Sequence, residues 1–278
     1  MALTTNICLA ASLIIALASS FAISLQAPAK HARAELLALQ SSIQPGSDLQ
    51  LGVHFILEKG WHIYWINPGD SGQPPSLQWQ LPPGFTAGEI QWPRPERMQS
   101  SSELADYGYH DDVLLMVPIH APPFINNEQL RGLRFAVEAK WLVCREICIP
   151  EHAGLELFLH SGAIKENPAT AKLFADAEKL LPVAMPHGWK AQAESRKNNF
   201  LLTVAPGKPI TKAVFFPLDP GQIDNPAPQG LQSIPSGAKI TLKKSDILLK
   251  PISVLRGVLV IPGGPAYRIE APVRQPIQ

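Results

Sequence analysis

Cysteine is scarce in this chain, and the scarcity excludes a class of fold. Three cysteines occur among 278 residues, and Cys8 lies in an apolar N-terminal run. A disulfide framework of the kind that holds small secreted domains is therefore ruled out. An excess of one charge is also lacking: 24 Lys and Arg face 23 Asp and Glu, for a formal net charge of +1. With no basic run, nucleic acid is not an expected partner. No P-loop, Ser–His–Asp order or paired-carboxylate arrangement stands out, so nucleotide-binding and hydrolase chemistry lack specific support. Past the N-terminus no apolar run is long enough to cross a bilayer. What the chain does have is proline, 28 residues scattered throughout. So many prolines exclude long helices and favour short strands joined by turns. Hydrophobic residues make up 46% and charged residues 17%, a globular balance for one large or two modest domains.

The N-terminus reads as an export signal over residues 1–29. Ile7 to Leu25 carries no charge, and small-residue cleavage sites are available at Ser20-Phe21-Ala22 and Ala27-Pro28-Ala29. No Lys or Arg precedes the run, and an uncleaved N-terminal membrane anchor is the alternative. Export implies an oxidising compartment. There Cys144 and Cys148 tend to be bonded unless something reduces them.

Alternation organises the rest. Leu49, Leu51, Val53, Phe55 and Leu57 predict a half-buried strand from Asp48, and Trp61 to Trp65 a second. Asn67 to Gly72 has the turn chemistry of a loop. Leu77–Trp79, Glu89–Trp92 and Val113–Val117 are further strand candidates. Leu133, Phe135, Val137, Ala139, Trp141 and Val143 alternate straight into Cys144, and Leu155, Leu157 and Leu159 resume beyond. The pattern is mainly β, a sandwich over residues 30–161 with the cysteines capping a strand–loop–strand unit. A helical connector is expected over 162–184, capped by Asn167, with Leu173, Phe174, Ala177, Leu180 and Leu181 at helical spacing. A second, smaller β domain is expected over 185–278, with a packing or presenting role.

Three residues separate Cys144 from Cys148, so their Cα atoms can reach disulfide range, ~4.4–6.8 Å, without long-range folding. A bridge over so small a loop removes little unfolded-state entropy. A weak staple that is easy to reach suits electron exchange better than holding a fold. Arg145, Lys140 and His152 could lower a thiol pKa, while Glu146 and Glu151 would raise it.

Four blocks in order carry a resemblance: Gly60-Trp61-His62-Ile63-Tyr64-Trp65-Ile66-Asn67-Pro68-Gly69-Asp70-Ser71-Gly72, then Ile90-Gln91-Trp92-Pro93, then Tyr107-Gly108-Tyr109, then Trp141 to Glu151. Over roughly residues 35–160 the chain resembles the periplasmic N-terminal domain of the thiol:disulfide interchange protein DsbD and its copper-sensitivity-suppressor relatives. The region of Phe215-Phe216-Pro217 and Gln229 looks like the second β domain of longer members. The resemblance implies an immunoglobulin-like sandwich whose redox pair, Cys144 and Cys148, relays electrons. The donor it implies is a membrane-embedded DsbD-like protein, and the acceptors are thioredoxin-like periplasmic proteins. The chain contains no multi-span membrane core and no thioredoxin-like domain, so those parts are expected on another polypeptide. A cap is implied over the cysteines at Leu104 to Tyr109, with Asp106, Tyr107 and Tyr109 as cap residues and Trp141 and Glu151 in support. The cysteine spacing is narrower than in the best-studied branch, and Asp106 stands where that branch has an aromatic.

Three other readings stay open at this stage. One is a passive local disulfide in a structural domain. Another is a copper or zinc site built from Cys144, Cys148 and His152, which recur every four residues; the relay itself needs no cofactor. The last is a non-catalytic assembly protein, although the Trp61 to Trp65 aromatics suit core packing better than a binding surface. His54 and His62 are expected to be satisfied structural histidines.

Overall fold

The computed structural model describes residues 31–99, 103–125 and 132–275. The expected export signal lies outside the described residues. Among these, no helix is long and apolar enough to cross a membrane.

The alternating stretch from Asp48 forms strand Asp48–Leu57, with Leu49, Leu51, Val53, Phe55 and Leu57 all buried. It runs antiparallel between Ala32–Ala38 and Asp112–His120, and Thr86–Ala87 completes a four-stranded sheet. The facing sheet is built on a long hairpin, Leu133–Cys144 with Cys148–Ser161. Beyond the hairpin come His62–Gly69, Ala105–His110 and Glu96–Gln99. Ser76–Gln80 pairs with the middle of Leu133–Cys144, which leaves its last residue to pair with His62. The two sheets enclose a core of Val53, Phe55, Ile63, Trp65, Leu115, Val137, Trp141 and Val143. This is an immunoglobulin-like β-sandwich, and a short helix and a second β domain follow it.

Several sequence expectations change. Glu89–Trp92 is not a strand; it makes a single bridge, Gln91 to Met116. Pro93 lacks the N–H that the next ladder step needs. The loop expected at Asn67 begins later, because strand His62–Gly69 runs on to Gly69. Its register jumps from Tyr64↔Gly108 to Gly69↔Asp106, so the turn residues build a bulge in the strand. Asn67 shapes it, accepting the Gly69 N–H on Oδ1 at 3.1 Å. The helix is shorter than expected, Ala171–Glu178, with Thr170 at its N-cap. Asn167 instead shapes the turn before it, accepting the Ala169 N–H at 3.1 Å. Leu180 and Leu181 fall beyond the helix. Phe174 and Ala177 bury its inner face against Leu114 and Met116.

The second domain is one curled eight-stranded sheet around Phe200, Leu202, Phe215, Ile240, Leu255 and Ile269. Its first pairing is already at Val183–Ala184, alongside Ala266–Arg274. The domains share apolar surface. Phe216 lies edge-on to Trp65 and Tyr107, with centroids 6.5 and 5.3 Å away, and Val258 and Ala266 join the first core. Burying a Phe here stabilises both domains at once. Phe216→Ala is expected to cost about 3 kcal/mol or more in urea unfolding. A loss below about 1 kcal/mol would show that the shared surface adds little.

Candidate functional site

The hairpin register sets the site. Cys144 pairs directly with Cys148, and the turn between them closes through the Arg145 N–H to the Ile147 carbonyl at 3.1 Å. The two sulfurs are joined in a disulfide, with Cα atoms 4.2 Å apart. Cys144 is buried while Cys148 is exposed. The register continues sideways, Cys144 to His62 and His62 to His110. Direct cross-strand partners share a face, so Cys148, Cys144, His62 and His110 form one row across the outer face. Trp61, Ile63 and Trp65 alternate onto the opposite, core-facing side.

Beside the disulfide, a tyrosine hydroxyl approaches Cys148. The Tyr64 hydroxyl lies 3.4 Å from Cys148 Sγ and 3.3 Å from Ser71 Oγ. Ser71 in turn donates to Asp106 twice, from its backbone N–H and its hydroxyl, each at 2.9 Å. Ser71 has one hydroxyl proton, and Asp106 takes it. The Tyr64–Ser71 contact is therefore donated by tyrosine. The hydroxyls form a directed chain from Tyr64, which lies beside Cys148, to the buried Asp106 carboxylate. Burial, and then the Asp106 charge, push the Tyr64 hydroxyl above its ordinary pKa of 10.0, against the Ser71 hydrogen bond. It thus stays protonated and able to donate. Gly72 permits this packing. It has φ +72, and a Cβ there would sit 2.1 Å from Tyr64 Cζ.

The second domain fastens the same loop. Asn225 Nδ2 donates to Asp70 Oδ1 at 2.8 Å, and Asp70 Oδ2 accepts the Ala105 N–H at 2.9 Å. Asn225 Oδ1 accepts the Tyr107 hydroxyl at 3.0 Å, and its carbonyl accepts from Arg97.

Of the residues singled out in the sequence, Asp106 reaches the cysteines, through Ser71 and Tyr64. Tyr107 and Tyr109 face the other way. Tyr107 meets Asn225, and Tyr109 donates to the Pro93 carbonyl at 2.8 Å from within the core. Trp141 packs on Phe55, centroids 5.1 Å apart, and its cross-strand partner Glu151 accepts the His31 N–H at 3.1 Å. Both lie on the face away from the sulfurs. Arg145 sits 5.3 Å over the Trp61 ring. The expected metal set does not assemble. Cys148 and His152 lie on one extended strand, and four residues at ~3.3 Å each hold them roughly 13 Å apart. His152 faces Glu138 instead, at 3.2 Å. Among the described residues, no three His, Cys, Asp or Glu side chains gather to hold a metal.

Residues 33–160 match the family described as thiol:disulfide interchange protein DsbD, N-terminal. The match spans the hairpin, its disulfide and the loop that covers it. Residues 33–160 are a domain of this family. In this DsbD-type domain the Gly60–Gly72 block supplies His62, Tyr64, Ser71 and Gly72, and the Trp141–Glu151 block supplies the sulfurs. No curated protein sequence matches the chain. The N-terminal periplasmic domain of ScsB from Proteus mirabilis is similar in structure, with a TM-score of 0.66 and 18% identity. That similarity covers 89% of this chain and 95% of that one, and so includes both β domains. The YadV chaperone aligns over 86% of this chain and 99% of that one at 11% identity, with a TM-score of 0.23, a level that carries no argument.

Sequence reasoning missed Tyr64, Ser71 and Asn225, and expected His62 to be satisfied. His54 does have a partner, Asp112 at 3.0 Å, but buried His62 Nε2 has none among the described residues. The two-residue spacing of His62 and Tyr64 was the available signal, since it places both on the cysteine face.

Two outcomes follow from this geometry. Asp106→Ala leaves the two part-buried donors of Ser71 without their acceptor, with an expected cost of about 1 kcal/mol. It should also speed reduction of the disulfide by dithiothreitol; an unchanged rate would show that the loop does not guard the pair. The second concerns pH. Burial first, and then His110, hold His62 below its ordinary pKa of 6.5, against the pull of Asp106. Between the folded and ordinary values the unfolded chain binds more protons, so the His62 contribution to stability falls as pH drops through and below about 6.5. His62→Leu should flatten this part of the stability profile, as read by urea unfolding at a series of pH values.

Proposed function

We propose that this chain is an exported thiol–disulfide interchange module that passes electrons from a membrane-embedded DsbD-like donor to thioredoxin-like periplasmic proteins. The observation that carries the reading is an exposed Cys148 bonded to a buried Cys144 at the turn end of a hairpin, inside a DsbD-type domain. The asymmetry assigns roles. A donor thiolate attacks Cys148, the sulfur it can reach, and Cys144 departs with the electron pair of the broken bond. In the forward transfer, the Cys148 thiolate attacks the acceptor disulfide and Cys144 resolves the mixed disulfide. Once reduced, Cys148 can give its proton to the Tyr64 oxygen, with Tyr64 and Ser71 donating onward to Asp106. That chain offers the thiol a route toward the carboxylate. Exposed Ile147, on the turn between the cysteines, offers apolar surface to a docking partner.

Trapping tests the assignment. Cys144→Ser leaves the reachable sulfur without its resolver, and should accumulate a mixed disulfide with a thioredoxin-like protein in periplasmic extract. Cys148→Ser should accumulate little. If neither variant captures a partner, the relay reading fails. The couple should also equilibrate with glutathione, at a potential above about −300 mV. A lower value would mark an inert structural bond.

A further inference from the structure

Each sulfur of the pair has its own neighbour on strand His62–Gly69. Cys148 has the Tyr64 hydroxyl, 3.4 Å from its sulfur. Cys144 has His62, its direct register partner, with Cβ atoms roughly 5 Å apart by cross-strand geometry. The two contacts differ in one respect. The imidazole is 9% exposed, and its Nε2 is buried with no hydrogen-bond partner among the described residues. The polar groups around it are committed elsewhere or meet it ring to ring. Tyr64 lies edge-on at 5.3 Å and gives its hydroxyl proton to Ser71. His110 lies edge-on at 5.9 Å. Asp106 takes both Ser71 donors. An oxidised Cys144 has no proton to offer, so the nitrogen stays unpaired while the disulfide is closed.

We propose that His62 sets the redox poise of the pair: its Nε2 accepts the Cys144 S–H once the disulfide opens, and this contact favours the reduced form. The inference rests on the exchange reading. In the reaction, the first thiolate of a partner dithiol bonds to Cys148 Sγ. The Cys144–Cys148 bond breaks, and Cys144 leaves with the electron pair and takes up the proton that the attacking thiol released to solvent. The partner's second thiol then attacks its own first sulfur, and Cys148 leaves with the second pair and second proton. Two electrons and two protons pass to the pair, and the partner becomes the disulfide. Only the product form gives the buried nitrogen a donor. Closing the bond again leaves it unpaired, a desolvation cost borne by the oxidised state alone.

The test compares wild type, His62→Leu and His62→Gln, each equilibrated with glutathione buffers as the mature chain. His62→Leu removes both the orphaned atom and the acceptor. It should shift the equilibrium about tenfold toward the disulfide, a potential about 30 mV more negative. His62→Gln, which keeps an acceptor, should fall between. In the wild type, the His62 Nε2 resonance of a 15N-histidine sample should move upfield on reduction, as a free nitrogen does when it gains a donor. That measurement decides the matter if His62→Leu does not fold. A leucine variant within twofold of wild type, or a wild-type nitrogen resonance indifferent to redox state, overturns the proposal. A wild-type pair that cannot be reduced in the folded protein overturns the exchange reading as well, and is seen before any variant is made.

Discussion

The register of the long hairpin is the constraint on which the site depends. Cys144 and Cys148 are bonded because strands Leu133–Cys144 and Cys148–Ser161 pair so that these residues fall opposite each other. Side chains alternate with a period of two, so a slip of one residue would send the cysteines to different faces. The same register places Cys144 beside His62 only at the end of its strand, because Ser76–Gln80 occupies the middle of that edge. The local environment of the sulfurs thus follows from backbone pairing that also builds the sandwich. Trp141 and Val143, alternating with Cys144 into the core, anchor this register by burial.

The outer face at this point should be wet, yet Cys144, His62 and Tyr64 are buried. Their cover is the bulged segment that ends strand His62–Gly69 and the loop after it. Its polar groups are satisfied by carboxylates, Asp70 for the Ala105 N–H and Asp106 for Ser71. Asn225 of the second domain completes the set by holding Asp70 and Tyr107 together. Asp106, Tyr107 and Asn225 are buried, and each of these is costly to leave unpaired. The second domain therefore does more than extend the sheet content. It grips the loop that guards the sulfurs, while Phe216 seats it on Trp65 and Tyr107.

What the sequence disclosed and what it hid divide along contact range. The alternations at Asp48–Leu57 and Leu133–Cys144 are local signals, and both strands formed where they indicated. The cysteine spacing showed the hairpin and its bridge. The role of the Trp61–Trp65 segment was half legible. Its tryptophans are core, as aromatics in a strand suggest, but His62 and Tyr64 face a site that alternation alone cannot distinguish from solvent. That face is closed by Ser71 and Asp106, which meet only because two loops pack together. Asn225 lies 155 positions from Asp70, and nothing in its neighbourhood marks it. The aromatic pair Tyr107 and Tyr109 differs from expectation for a related reason: they lie within the expected cap segment in sequence but point into the core. The recurrence of Cys144, Cys148 and His152 would align the three on one face of a helix, whereas the extended strand Cys148–Ser161 carries His152 away from the sulfurs.

A disulfide that must open during work should not hold its own fold together. Closing so short a loop constrains the unfolded chain by only on the order of 2 kcal/mol in the entropic account. The hairpin needs even less from it, since all 12 residues of strand Leu133–Cys144 have cross-strand partners. Val143 and Trp141 hold the strand end in the core whether or not the sulfurs are joined. The reduced and oxidised forms can then share one backbone, and electron transfer requires no refolding. In the proposed exchange, what distinguishes the two states lies at the sulfurs and their neighbours, Tyr64 beside Cys148 and His62, the register partner of Cys144. Small differences in how those two groups are satisfied translate directly into equilibrium constants, because no large conformational term intervenes to mask them.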